Sequence, residues 1–157
     1  MKRIAIAAAA ALCLLLAACG TAAEPEETET PVIREETEAE DIGMKLLIDE
    51  TEVPVTWEQN DSVTALRELA RGGGLTVSMS MYGGFEQVGP VGQTLPRDDR
   101  QITTDAGDLV LYSGSQIVIF YGSNSWAYTR LGHVELSAPE MTELLSNGDV
   151  TLRITEG

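Results

Sequence analysis

The chain has 157 residues, with 25 Asp and Glu against 10 Lys and Arg, a formal net charge of −15. This length suits one domain with a core of its own. The acidic balance, with no basic stripe anywhere, argues against tracking a nucleic-acid backbone and against attraction to an anionic lipid surface.

The N-terminus, "MKRIAIAAAAALCLLLAAC", combines a basic start (Lys2, Arg3), an apolar run and small residues before Cys19. That pattern is a secretory signal, too short and wrongly flanked for a spanning helix. Its end, "LAAC", resembles the lipobox of bacterial lipoproteins. The resemblance implies that residues 1–18 are removed, that the Cys19 thiol is acylated, and that the mature chain sits outside the cytoplasm, held to a bacterial membrane. Acyl chains, palmitate among them, at about 0.8 kcal/mol per buried CH₂, would make a lasting anchor. Cys13 falls in the removed part, so the exported domain has no disulfide and no cysteine metal site.

Residues 19–43 follow the cleavage point. From Gly20 to Gly43 they hold nine acids against Arg34 alone, with much Thr and Pro and few large apolar groups. Such a segment cannot bury enough surface to offset its ordering entropy and is predicted to be an acidic, disordered tether.

The folded domain is predicted over residues 44–157. "MKLLIDETEVPVTWEQ" reads as two short strands about Asp49-Glu50-Thr51. "NDSVTALRELARGGG" changes to helical period, with Val63, Leu66, Leu69 and Ala70 on one face, Asn60 or Asp61 as cap and Gly72 as stop. "LTVSMSMY" returns to alternation. "YGGFEQVGPVG" is predicted to be a glycine-rich loop carrying Phe85 and Gln87, and "QTLPRDDRQITTDAGD" a turn-rich connection. "LVLYSGSQIVIFYG" is two strands about Ser-Gly-Ser, and "WAYTRLGHVEL" another. "SAPEMTELLSNG" is a second helix with a Ser137–Glu140 capping box and Pro139 in its first turn. "DVTLRIT" closes the chain as a strand. The expected fold is mainly β: a closed barrel of about eight strands, its ends capped by two short helices.

This element order resembles the cyclophilin fold, and residues 44–157 are similar to small bacterial cyclophilin-like proteins. The segments that carry the likeness are "MKLLIDETEVPVTWEQNDSVTALRELA", "GGFEQVGPVGQTLP", "AGDLVLYSGSQIVIFYG" and "YTRLGHVEL". Cyclophilins are prolyl isomerases whose active face carries an arginine, a phenylalanine and glutamine after it, further aromatics and a histidine. An apolar pocket holds the proline, and a cation and an amide stabilise the twisted peptide bond. Phe85 and Gln87 correspond loosely to the first pair, and Phe120 to a pocket aromatic. The strand "LTVSMSMY" has no base where the arginine belongs, and Tyr128 stands near the expected histidine, with His133 beyond it.

The ligand-binding candidates are therefore Tyr82, Phe85, Gln87, Phe120, Tyr121, Trp126, Tyr128 and Arg130, and no catalytic residue is assigned. Phe85 and Gln87 have an architectural reading as well, capping the barrel and satisfying loop amides. His133, the only histidine, reads as structural. Asp98, Asp99, Asp105 and Asp108 are too loosely grouped for calcium. No metal or cofactor is expected, and no nucleic acid. The expected function is a non-catalytic module, anchored through its lipid, for a peptide, protein or small-molecule ligand. The alternative is a weak peptidyl-prolyl isomerase assisting exported proteins.

Overall fold

The computed structural model describes residues 43–157. The expected signal peptide, acylation of Cys19 and tether fall on residues 1–42, outside the described residues.

Eleven strands and two helices follow one another along this part of the chain. β1 (Met44–Ile48), β2 (Thr51–Val53) and β3 (Val55–Trp57) precede α1 (Asp61–Ala70). Then come β4 (Leu75–Ser78), β5 (Ser80–Tyr82), β6 (Glu86–Pro90), β7 (Arg100–Thr103), β8 (Asp108–Tyr112), β9 (Gln116–Phe120) and β10 (Ser125–Val134). α2 (Ala138–Leu145) and β11 (Thr151–Glu156) end it.

The helices begin where the side chains dictate. Asn60 is the cap of α1, its side-chain oxygen accepting from the Val63 N–H at 2.9 Å. At α2 the Glu140 carboxylate accepts from the Ser137 N–H at 2.8 Å, closing the capping box.

The strands form two antiparallel sheets, in the orders β2-β1-β11-β4 and β3-β10-β8-β9-β6-β5, with β7 added on β10. Neither sheet closes on itself, so the closed barrel expected from the sequence is not what the pairing forms. The reason lies at two corners. β2 and β3 are one run of chain broken at Pro54, which has no N–H to continue a ladder. β4 and β5 are one run broken at Met79, whose N–H leaves the strand direction to bond the Val150 carbonyl at 2.8 Å. At each corner the chain passes from one sheet to the other, as in sheet packings whose corners are made by bent strands.

A second difference concerns "YGGFEQVGPVG". Only its ends are turns. Glu86–Pro90 is a strand inside the larger sheet, paired with β5 on one side and with β9 on the other. Gly89 is needed there because a Cβ would lie 2.5 Å from Met79 Sδ and 2.6 Å from the Ser78 carbonyl oxygen. The chain crosses the β4–β5 corner too closely for any side chain.

The main core lies between the sheets and beneath α1. Leu46, Ile48, Leu152 and Ile154 from the smaller sheet meet Leu109, Leu111, Ile117 and Ile119 from the larger, with Val63 and Leu66 of α1 and Met141 and Leu145 of α2. The other face of the larger sheet is apolar as well. Val110, Val118, Phe120 and Tyr128 form a separate buried cluster there, with Phe85, Val88, Ile102 and Tyr112 packed against it. "LVLY" and "QIVIF" are unbroken apolar runs because both of their faces are covered. The second cluster supports the site.

Candidate functional site

On this outer face the strand pairing sets side chains in rows. Glu86 stands opposite Phe120, and Val88 opposite Val118, which in turn faces Val110. The aromatic rings interlock along the rows. Phe85 and Phe120 are stacked with centroids 6.5 Å apart. Tyr128 meets Phe120 edge-on at 5.7 Å and Tyr112 at 6.0 Å. Phe120 is fully buried.

Above this layer opens a cleft of about 370 Å³. Its floor and walls are Glu86 and Val88 of β6, Tyr112 of β8, Gln116 and Val118 of β9, and Tyr128 of β10. Tyr82 and Trp126, 67 % and 52 % exposed, stand at its rim, beside Asn124. Two large aromatics left open to solvent beside one cleft make it the candidate site.

Glu86 is the chemically distinctive member. It is 6 % exposed, and among the described residues no donor reaches its Oε2. Burial pushes its carboxyl pKa up from 4.5 to about 7. Tyr128 is raised too, first by its own burial and then by the neighbouring Glu86 charge, while a hydrogen bond from the Asn124 amide to its hydroxyl at 3.0 Å works the other way. No basic residue lines this cleft. An acid surrounded by tyrosines and a tryptophan can accept a donor or a cation, and when protonated it can donate one hydrogen bond.

The expected ligand residues divide between the two faces of the sheet. Tyr82, Trp126 and Tyr128 line the cleft. Phe85 and Phe120 lie in the aromatic layer that supports it. The carbonyl of Phe85 also accepts the N–H groups of Tyr121 and Gly122, at 3.0 and 2.9 Å. Gly83, in the left-handed region at φ +63°, leaves room for the Phe85 ring, which a Cβ would meet at 2.4 Å. Tyr121 packs into the main core.

Gln87 also points inward. It is fully buried, and its Nε2 donates to the carbonyls of Leu145 and Gly148 at 2.8 and 2.6 Å. These are carbonyls at and beyond the end of α2, which a helix leaves without partners of its own. Gln87→Ala is therefore expected to lower stability by about 1–3 kcal/mol. Amide exchange should quicken first in the last turn of α2, as hydrogen exchange on the folded protein would show.

Arg130 opens onto a neighbouring cleft of about 470 Å³, which also includes Asn60, Ser62, Arg97 and Arg100. Each arginine there is paired: Arg130 with Asp108 at 3.0 Å, Arg97 with Asp99 at 3.3 Å and Arg100 with Asp98 at 2.7 Å. That cleft is larger but its charges are already matched. His133 Nδ1 lies 3.0 Å from the same Asp108 oxygen, and the other Asp108 oxygen accepts from the Asp105 N–H at 3.0 Å. This group fixes the 105–108 turn against β10. Among the described residues no three His, Cys, Asp or Glu side chains are grouped to hold a metal. No helix among them is long and apolar enough to cross a membrane.

Sequence reasoning passed over Glu86, Val88, Tyr112, Gln116, Val118 and Asn124. Alternation in "EQV" would have set Glu86 and Val88 on one face and Gln87 on the other, had the segment been read as a strand.

The model of the cyclophilin-like family matches residues 46–155. Among solved structures, that of McbB in complex with tryptophan aligns with 72 % of this chain and 44 % of that one, at 11 % identity and a TM-score of 0.51. At that identity the likeness is one of fold, and this chain corresponds to less than half of that chain's length. No curated protein matches.

Proposed function

The chain belongs to the cyclophilin-like family, and from that footing we propose that it is an extracytoplasmic lipoprotein, anchored to a bacterial membrane through Cys19, whose domain binds a small ligand or peptide without converting it. The observation that carries the binding role is the open cleft built on a second apolar layer, with Tyr82 and Trp126 exposed at its rim. Holding such rings in water adds nothing to the stability of the fold, whereas on a ligand-binding face they supply the apolar contact area. Anchoring draws its support from the basic start, apolar run and "LAAC" of residues 1–19.

Prolyl isomerisation has less support. It calls for a cation beside the proline pocket. This cleft offers an acid instead, and Arg130 faces a different cleft, held by Asp108.

The test uses the full chain, isotopically labelled, with a panel of Xaa-Pro peptides and of small apolar amines, alcohols and acids. We expect binding shifts at the Trp126 indole and at Tyr82, with proline cis/trans exchange unchanged as protein is added. Exchange that rises with protein concentration would favour the isomerase. No shift from any member of the panel would remove the cleft as a binding site. For the anchor, a labelled fatty acid fed to a producing bacterium should be incorporated into the protein, and Cys19→Ala should abolish incorporation.

A further inference from the structure

We infer that the ligand of this cleft is a small amine cation carrying an aromatic or branched apolar body, with its ammonium group held by the Glu86 carboxylate. The inference rests on the binding role proposed above and names the chemistry of what is bound.

Three observations lead to it. Glu86 is a residue only 6 % exposed whose carboxyl oxygen Oε2 is buried with no donor among the described residues, although buried carboxylates are ordinarily paired. It lines an open cleft rather than the closed core, so the missing partner can arrive from outside. Its surroundings favour a cation in particular. Tyr82, Tyr112, Tyr128 and Trp126 line the same space, and aromatic faces attract ammonium groups. The domain itself is strongly acidic: residues 44–157 carry sixteen acids against seven bases. That field draws cations and repels anions.

The groups that face Glu86 come from each neighbouring element. Tyr82 is on β5, Tyr112 on β8 and Tyr128 on β10, with Phe120 opposite on β9. Asp108, with Arg130 and His133, lies beyond Phe120 on β8 and β10 and is already paired. No lysine, arginine or histidine lines the cleft to neutralise Glu86 internally. The competing occupant is a neutral carbonyl compound, which would accept a hydrogen bond from protonated Glu86. The two make opposite demands. An amine needs the ionised carboxylate, so its affinity rises with pH. A carbonyl needs the protonated acid, so its affinity falls.

The experiment is a calorimetric and NMR titration of the full chain with phenethylamine, 3-phenylpropanol, 3-phenylpropanamide and 3-phenylpropionate, at pH 6 and pH 8. Phenethylamine is expected to bind best, about tenfold more tightly at pH 8 than at pH 6, given a Glu86 carboxyl titrating near 7. Glu86→Gln, which keeps shape and volume, should weaken it by about 10- to 100-fold and flatten its pH dependence. Binding of the alcohol, amide or acid at the same Trp126 and Tyr82 resonances, with the amine no tighter and Glu86→Gln without effect, would overturn the inference while leaving the binding role intact. Amide binding that weakens from pH 6 to pH 8 would assign the cleft to carbonyl ligands and overturn it as well. Shifts from none of the four would sink both.

Discussion

Phe120→Ala is expected to lower the unfolding free energy by about 3–5 kcal/mol, the range for removing a fully buried phenylalanine. The ring is fully buried and is held between Phe85, stacked at 6.5 Å, and Tyr128, edge-on at 5.7 Å. Its neighbours cannot collapse into the space. Phe85 is tied through its carbonyl to Tyr121 and Gly122, and Tyr128 sits in a strand paired with β7. The void should therefore persist, and its surface adds to the lost transfer energy. Phe120→Leu should lose far less, about 1–2 kcal/mol. Chemical denaturation of both variants separates the two cases. Because Phe120 supports the cleft from below, Phe120→Ala should also weaken ligand binding under conditions where the variant is still folded. That second readout distinguishes a floor from an ordinary core position.

The other large effect is a pH dependence. Glu86 titrates at about 7 in the folded protein against 4.5 for a free carboxyl, because burial penalises its charge. Below pH 4.5 the group is protonated in both states and contributes no penalty. Between 4.5 and 7 the unfolded chain releases this proton more readily than the folded one, so stability falls as pH rises. Above 7 both states are ionised and the loss is complete. A difference of this size corresponds to about 3 kcal/mol. Glu86→Gln removes this contribution. The variant should match the parent near pH 4 and exceed it by about 3 kcal/mol near pH 8, with the gap opening between. Urea unfolding at a series of pH values measures it. Equal stability of the two proteins across the whole range would mean that Glu86 is solvated or paired in solution. A carboxyl kept at such a disadvantage is what a binding group looks like before its ligand arrives, as functional sites routinely hold groups that the fold alone would not choose.

Much of the fold was legible in the sequence because its signals are local. The Asn60 cap, the Ser137–Glu140 box and the alternation of "DVTLRIT" each concern residues a few positions apart, and each sets its own backbone. The corners at Pro54 and Met79 are different. A proline within "EVPVTW" is visible, but whether the ladder bends there or continues depends on strands far away in the chain. That is why the predicted closed barrel became two joined sheets. The glycine-rich stretch misled for a related reason. Glycine and proline ordinarily punctuate turns. Here Gly89 is required by a close crossing with Ser78 and Met79, and Pro90 stands at the strand's end, where a missing N–H does little harm.

The candidate site was half legible. Aromatics with polar handles pointed to Tyr82, Trp126 and Tyr128, which the cleft brings together. Tyr121 has the same chemistry but packs into the main core, and Gln87, a candidate through its correspondence to the cyclophilin glutamine, is turned inward by strand parity. Glu86 gave no sign of itself. Among the sixteen acids of the described residues it is distinguished by being buried with an unpaired oxygen, and burial is a property of the assembled sheet.

The most direct measurement is carboxyl-carbon NMR of the full chain, with labelled glutamate, from pH 4 to pH 8.5, run with and without phenethylamine and repeated on Glu86→Gln. One glutamate resonance is expected to titrate near 7, to be missing from the variant, and to move to a lower midpoint when the amine is added. Glutamates that all titrate between about 4 and 5, or a resonance near 7 that the amine leaves in place, would contradict it.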